Sequence, residues 1–129
     1  MGLIFLGSSW SGIAGRNEDV VMATLSNLPH VPEFGLLGMA GWIALQGRPD
    51  WVAWAVGALY GVTDELHQGL VAGRDASLGD LVLDAVSVAW GIWAIRCYVD
   101  GRTPAWSVMG RFLVAAVAIA FADAWATTG

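Results

Sequence analysis

The chain has 129 residues, of which 57% are hydrophobic and only 13% are charged, whereas a typical soluble domain has about 25% charged residues. Because a small soluble domain has a large surface to cover with polar groups, this composition argues against a soluble enzyme or a disordered chain and indicates a surface mostly covered by a lipid bilayer. The six basic residues are all arginine and the formal net charge is −5, so the chain lacks the basic field that a nucleic-acid partner needs.

The first segment, residues 1–29, is the least regular part of the sequence. It lacks the positive start and the long apolar core of a signal peptide. Two interpretations are open: a helix that is shortened at its N-terminal side, or an irregular surface segment.

Four apolar stretches follow, over residues 31–46, 51–71, 78–99 and 108–126. At 1.5 Å per residue they would be about 24–33 Å long, close to the thickness of the hydrocarbon core of a bilayer. The connectors between them are short, which favours antiparallel neighbours. We therefore predict an all-α integral membrane protein, an antiparallel bundle of about four transmembrane helices that forms a single domain over residues 1–129.

Glycine and alanine recur at helical spacing within these stretches. One face of the second stretch carries Ala53, Gly57 and Gly61, and the first stretch carries Gly35, Gly38 and Gly41. Small residues let helix backbones approach closely where lipid supplies no hydrophobic driving force. We interpret these faces as helix–helix contacts, which also offer a route to a homo-oligomer.

The arginines are unevenly divided between the two ends of the predicted bundle. One end, which contains connectors 47–50 and 100–107 and is called the basic end here, has Arg48, Arg96, Arg102 and Arg111, against Arg16 and Arg74 at the other. Arginine is enriched in the cytoplasmic loops of membrane proteins. The bias predicts that the basic end is cytoplasmic.

Most carboxylates, with Asp123 of the fourth stretch among them, gather at the opposite end, called the acidic end here and defined by residues 30–33, 64–68 and 75–84. A charged side chain at the centre of a membrane helix costs about 2.5–3.5 kcal/mol on insertion scales, so such residues usually mark a functional site. Asp64 and Asp84 are the clearest cases, because each lies about a turn or more inside its predicted helix.

Helical spacing assigns the polar residues of the acidic end to common faces. Tyr60, Asp64 and Gln68 are four residues apart, with Glu65 on the neighbouring face, and Asp80 and Asp84 share a face of the third stretch. The candidate site comprises His30, Glu33, Tyr60, Asp64, Glu65, Gln68, Arg74, Asp80 and Asp84.

This cluster has both a ligand-binding and a structural interpretation. Carboxylate oxygens suit Mg²⁺ or Ca²⁺, and the candidate ligands of such a cofactor are Asp64, Glu65, Asp80 and Asp84. In the structural interpretation, Ser77 and Asp80 form a capping box, and Arg74 only neutralises a nearby carboxylate.

The string YGVTDELHQGLVAGRDASLGDLVLDAVSVAWG resembles the signature of the VanZ-like family of membrane proteins. The positions that match are Tyr60, Gly61, Asp64, Glu65, Gln68, Gly73, Arg74, Asp80 and Asp84, with His30, Leu37 and Gly38 upstream, so that the motif core covers about residues 30–91. The family usually has Asn where this chain has Asp84. The resemblance implies a small multi-pass protein of the bacterial cytoplasmic (inner) membrane, with a first helix shortened within residues 1–15. It also implies a cell-envelope role linked to resistance to the glycopeptide teicoplanin.

Three functions are open from the sequence. The first is to bind or process an envelope lipid or its polar head group, with the carboxylates holding a cation or an amine while Arg74 and His30 meet an anionic group. The second is a small proton- or ion-coupled carrier, and the third is a non-catalytic assembly subunit of the membrane. The sequence has no Gly-x-Ser-x-Gly or His-Glu-x-x-His motif, so whether the site catalyses a reaction stays open.

Overall fold

The computed structural model describes residues 24–25, 27–70, 77–103 and 106–128 of the chain. Almost all of these residues are helical. The helices are α1 (His30–Ala44), α2 (Asp50–Gln68), α3 (Leu78–Val99) and α4 (Trp106–Thr128). The all-α prediction is confirmed within these ranges, and α3 has the predicted bounds. The shortened helix expected in residues 1–15 and the candidate residue Arg74 lie outside the described ranges.

Two glycines form the turns at the basic end. Gly47 follows α1 with φ of 86° and Gly101 follows α3 with φ of 66°, values that side chains with a Cβ atom disfavour. After α3, the N–H of Gly101 donates to Tyr98 O and the N–H of Arg102 donates to Cys97 O. This is the Schellman pattern, which satisfies the last carbonyl groups of a helix.

Helix α3 is the centre of the bundle, because it contacts α1, α2 and α4. On one side it packs Val88 and Ile92 against Phe34 of α1 and Ala53 of α2. On the other side, Leu83 packs against small residues of α4. The chain thus has two apolar clusters that share α3.

Small residues allow the close approach of α1 and α2 to α3. A Cβ atom added to Gly38 would lie 2.3 Å from Val88 O, and one added to Gly91 would lie 2.0 Å from Gly35 O. On α2, a Cβ atom added to Gly57 would lie 2.7 Å from the side chain of Val88. These faces therefore pack inside the chain, and a homo-oligomer through them remains a prediction.

The distribution of polar and apolar side chains is inverted relative to a soluble protein. Leu59, Val114 and Trp125 are 65–70% exposed, whereas Asp64 and Asp84 are fully buried. By length and composition, α3 and residues Ser107–Ala126 of α4 could each cross a membrane. Helix α1 has 15 residues, which form about 22 Å of helix, less than the hydrocarbon core thickness of about 30 Å. Helix α2 ends in the polar run Asp64–Gln68. The structure thus supports two of the four predicted spans.

Candidate functional site

The last two turns of α2 place a buried carboxylate beside a buried amide. Asp64 is 0% exposed and Gln68 is 1% exposed. Since residues four apart lie one above the other on a helix, the Gln68 amide reaches back and its Nε2 donates to Asp64 Oδ2 at 2.8 Å. This contact confirms the prediction that the two residues share a face.

The start of α1 places a histidine at the same level of the bundle, opposite a buried carboxylate of α3. Nδ1 of His30 lies 3.0 Å from Oδ1 of Asp84 on α3, and both side chains are almost completely buried. The imidazole is stacked with the ring of Phe34 one turn later, with 6.0 Å between the ring centroids and 7° between the ring planes. Behind Asp84, Gly61 of α2 leaves the space that the carboxylate fills.

His30, Asp64 and Asp84 form a compact three-residue group that we call the triad. One ligand atom from each side chain lies within 4.8 Å of the others, and all three residues are buried. One imidazole and two carboxylates can hold a metal ion. Both aspartates are candidate ligands from the sequence, where His30 is expected to meet an anionic group, so the geometry adds the histidine to the possible ligand set.

Glu65 lies beside the triad but contacts the start of α3 instead. Its Oε2 accepts a hydrogen bond of 2.6 Å from the backbone N–H of Ser77, while Oε1 is buried without a hydrogen-bond partner among the described residues. Ser77 in turn accepts from the N–H groups of Gly79 and Asp80. One half of the capping box is thus present, the hydrogen bond from the Asp80 N–H to the Ser77 hydroxyl. The other half is replaced, because the Ser77 N–H donates to Glu65 and not to the Asp80 carboxylate.

The other predicted residues lie around this core or outside the described ranges. Asp80 is buried in the first turn of α3. Tyr60 is half-buried and packs at 6.2 Å from the ring of Phe34. Glu33 is half-buried on α1. The structure therefore brings together the predicted residues of α1, α2 and α3, with Arg74 outside the part of the chain that it describes.

Helix α4 forms a second polar contact at this end, outside the predicted candidate site. Asp123 Oδ1 accepts a hydrogen bond from the Ser77 hydroxyl, and the Asn27 amide donates to Asp123 Oδ2 at 3.4 Å. Asp123 is the one acid of the fourth stretch, where Arg111 is the other charged residue. The sequence does not indicate its contact, because nothing in it shows that α4 packs against Ser77.

The basic end differs in its charge balance. Asp50 accepts hydrogen bonds from Arg96 and from Trp42 Nε1, and Asp100 pairs with Arg102 at 2.6 Å. These pairs are exposed and neutral overall. The surplus of carboxylates in the described ranges is therefore at the acidic end.

Comparison with known proteins assigns the chain to a family. No curated protein and no solved structure is significantly similar to it. The model of the VanZ/LLP1 family matches residues 2–99, a segment that contains α1, α2, α3 and the triad. Together with the two apolar helices, this match indicates a membrane protein. Because the matched segment covers well over half of the 129 residues, the chain belongs to the VanZ/LLP1 family.

Proposed function

We propose that this protein is a multi-pass membrane protein of the cell envelope whose acidic end binds the polar head group of an envelope lipid. In this proposal the four helices form an antiparallel bundle across the bacterial cytoplasmic membrane. The observation that carries it is the burial of the triad, His30, Asp64 and Asp84, inside helices with an apolar outer surface. Ionisable groups are expensive in such a place and usually serve a ligand or an ion.

The surroundings of the triad suit an amphipathic ligand. His30 is the first residue of α1 and Gln68 is the last residue of α2. The triad and Gln68 therefore lie toward helix ends, and lipid head groups lie at that level in a bilayer. At this end of the bundle, Leu66, Leu70 and Leu78 are 67–86% exposed. The acyl chains of a lipid whose head group is bound at the triad would therefore contact these exposed leucines.

The orientation and the cell-envelope role are part of the same proposal. The arginine distribution supports an extracytoplasmic acidic end, where precursors and finished lipids of the outer leaflet are accessible. The link to glycopeptide resistance, with teicoplanin as the drug to test, comes into the proposal from the resemblance to the VanZ-like family alone.

The proposal predicts that lipids stabilise the protein through Asp64. We expect a lipid extract from bacterial envelopes to raise the midpoint of thermal unfolding of the detergent-solubilised full chain more than phosphatidylcholine does. Asp64→Asn keeps the size and the contact with Gln68 but removes the charge, so the extra stabilisation should be lost.

The matched control is Asp100→Asn, which removes one carboxylate at the exposed basic end. This variant should respond to the extract as the wild type does. If Asp64→Asn retained the full response, head-group binding at the triad would be refuted, and the cluster would be better explained as a lock between helices.

A further inference from the structure

We infer that His30, Asp64 and Asp84 together bind one divalent transition-metal ion, of the class of Zn²⁺ or Mn²⁺. The inference rests on the proposed function, because it names the group through which the same site would hold a lipid head group. Four features of the triad support a metal site: its burial, an unsatisfied acceptor on Asp84, the spacing of the ligand atoms and the types of donor.

The triad lies in surroundings that suit a bound cation. Asp64 and Asp84 are both 0% exposed and His30 is 3% exposed. Charged groups are costly in such a place unless other groups stabilise them. A metal ion bound by all three side chains would stabilise the carboxylates there, beside the contact of Asp84 with His30.

Asp84 also has an acceptor that nothing in the described structure uses. Its Oδ1 lies beside His30, while its Oδ2 is buried and has no hydrogen-bond partner among the described residues. Buried polar atoms are nearly always satisfied by a protein group, a water or an ion. A metal ion within reach of this carboxylate would supply the missing partner.

The spacing of the ligand atoms suits a single ion. At bond lengths of about 2.0–2.2 Å, two adjacent ligands of one Zn²⁺ ion lie about 3 to 3.5 Å apart. His30 Nδ1 and Asp84 Oδ1 are 3.0 Å apart, and one ligand atom from each of the three side chains lies within 4.8 Å of the others. A carboxylate can bind a metal ion through one or both of its oxygens, so Oδ2 of Asp84 is available to the same ion.

The donor types decide the class of metal. The carboxylates alone led to the expectation of Mg²⁺ or Ca²⁺, which prefer oxygen ligands. An imidazole nitrogen in the set favours transition-metal ions such as Zn²⁺, and the two carboxylates also suit Mn²⁺. Three protein ligands also leave a coordination position open, at which a phosphate or carboxylate oxygen of a head group could bind.

The inference is tested by metal binding to the detergent-solubilised full chain without added lipid. After chelator treatment and dialysis against Zn²⁺, we expect one bound ion per wild-type chain and a raised unfolding midpoint, with Mn²⁺ acting in the same direction. Mg²⁺ and Ca²⁺ at the same concentration should have a smaller effect. Asp84→Asn retains an acceptor toward His30 but should lose the ion, whereas Asp100→Asn should keep it.

The ligand class is tested by His30→Asn, which replaces the imidazole nitrogen with an amide oxygen. This variant should bind Zn²⁺ at least tenfold more weakly and lose the preference for Zn²⁺ over Mg²⁺. Absence of a bound ion in the wild type, equal binding by Asp84→Asn, or equal stabilisation by Mg²⁺ would each overturn the inference.

The two proposals fail in different ways. A wild type that binds Zn²⁺ but shows no specific response to the envelope extract would refute head-group binding and leave the metal site intact. A specific lipid response that persists in chelator, with no Zn²⁺ bound, would refute the metal site alone.

Discussion

Gly38 and Gly91 show how little space lies between α1 and α3. Each faces a backbone carbonyl of the other helix, at Val88 and Gly35 respectively. A backbone carbonyl cannot rotate away as a long side chain can, so relief of a clash would require the helices to separate. That separation would also disturb the contact between His30 and Asp84, which joins the same two helices.

We therefore predict that Gly38→Ala and Gly91→Ala each lower the free energy of unfolding. Inserting a methyl group into a tightly packed contact costs about 1–3 kcal/mol. Chemical unfolding of the purified protein in mixed detergent micelles would measure the change.

Gly110→Ala on α4 is the matched control, because a Cβ atom there would have nothing within 4 Å. Alanine is a better helix former than glycine by about 1 kcal/mol, so this variant should be neutral or slightly more stable. Equal destabilisation by all three substitutions would show that Gly38 and Gly91 are not required for the close contact between α1 and α3.

The sequence indicates part of this residue-scale arrangement. Helical periodicity alone places Gln68 over Asp64, because their separation is local. The pairing of His30 with Asp84 joins residues 54 positions apart, and it depends on the crossing of α1 and α3, which periodicity does not specify. The reach of Glu65 to the Ser77 N–H is non-local in the same way.

At the scale of elements, the start of α3 depends on two other helices as well as on its own cap. Ser77 caps its own helix through Gly79 and Asp80. The carboxylates of Glu65 on α2 and Asp123 on α4 both bond to Ser77. One residue thus holds the N-terminus of the central helix against two neighbours.

Ser77→Ala should accordingly destabilise the bundle by about 0.5–2 kcal/mol, the usual cost of losing an N-cap side chain. The substitution removes the acceptor for the first turn of α3 and the donor to Asp123 together. Equilibrium unfolding in mixed micelles would measure the loss.

Ser77→Thr keeps the hydroxyl group and should stay close to the wild type. If Ser77→Ala proved as stable as Ser77→Thr, the cap and its bond to Asp123 would be energetically unimportant, and α3 would depend on side-chain packing alone.

The helix bounds themselves follow from local chemistry. Turn residues at Gly47, Pro49 and Gly101 separate the apolar stretches, so the elements at the basic end lie close to their predicted positions. Helix α2 ends at Gln68, three residues before the predicted stretch does, because apolar character alone does not mark where a helix stops. The docking of α4 through Asp123 could not be predicted, since it depends on the position of Ser77 in three dimensions.

At the scale of the whole molecule, the two ends differ in charge and the middle is apolar. Exposed leucine, valine and tryptophan side chains cover the outer faces of the helices, as expected for contact with lipid. The neutral Asp–Arg pairs lie at one end and the triad lies toward the other. Because the triad lies toward one end, the orientation of the protein in the membrane decides from which side a ligand can reach it.

We predict that the acidic end faces outward and the basic end faces the cytoplasm, following the arginine bias. Native Cys97 is only 4% exposed and would react poorly from either side, so labelling requires a Cys97→Ala background. Leu70→Cys, at a position 86% exposed, should react with a membrane-impermeant maleimide in intact cells. Arg102→Cys, where the native side chain is 60% exposed, should react only after the membrane is permeabilised. Reaction at position 102 alone in intact cells would reverse the orientation, and the triad would then have to meet its lipid from the cytoplasmic leaflet.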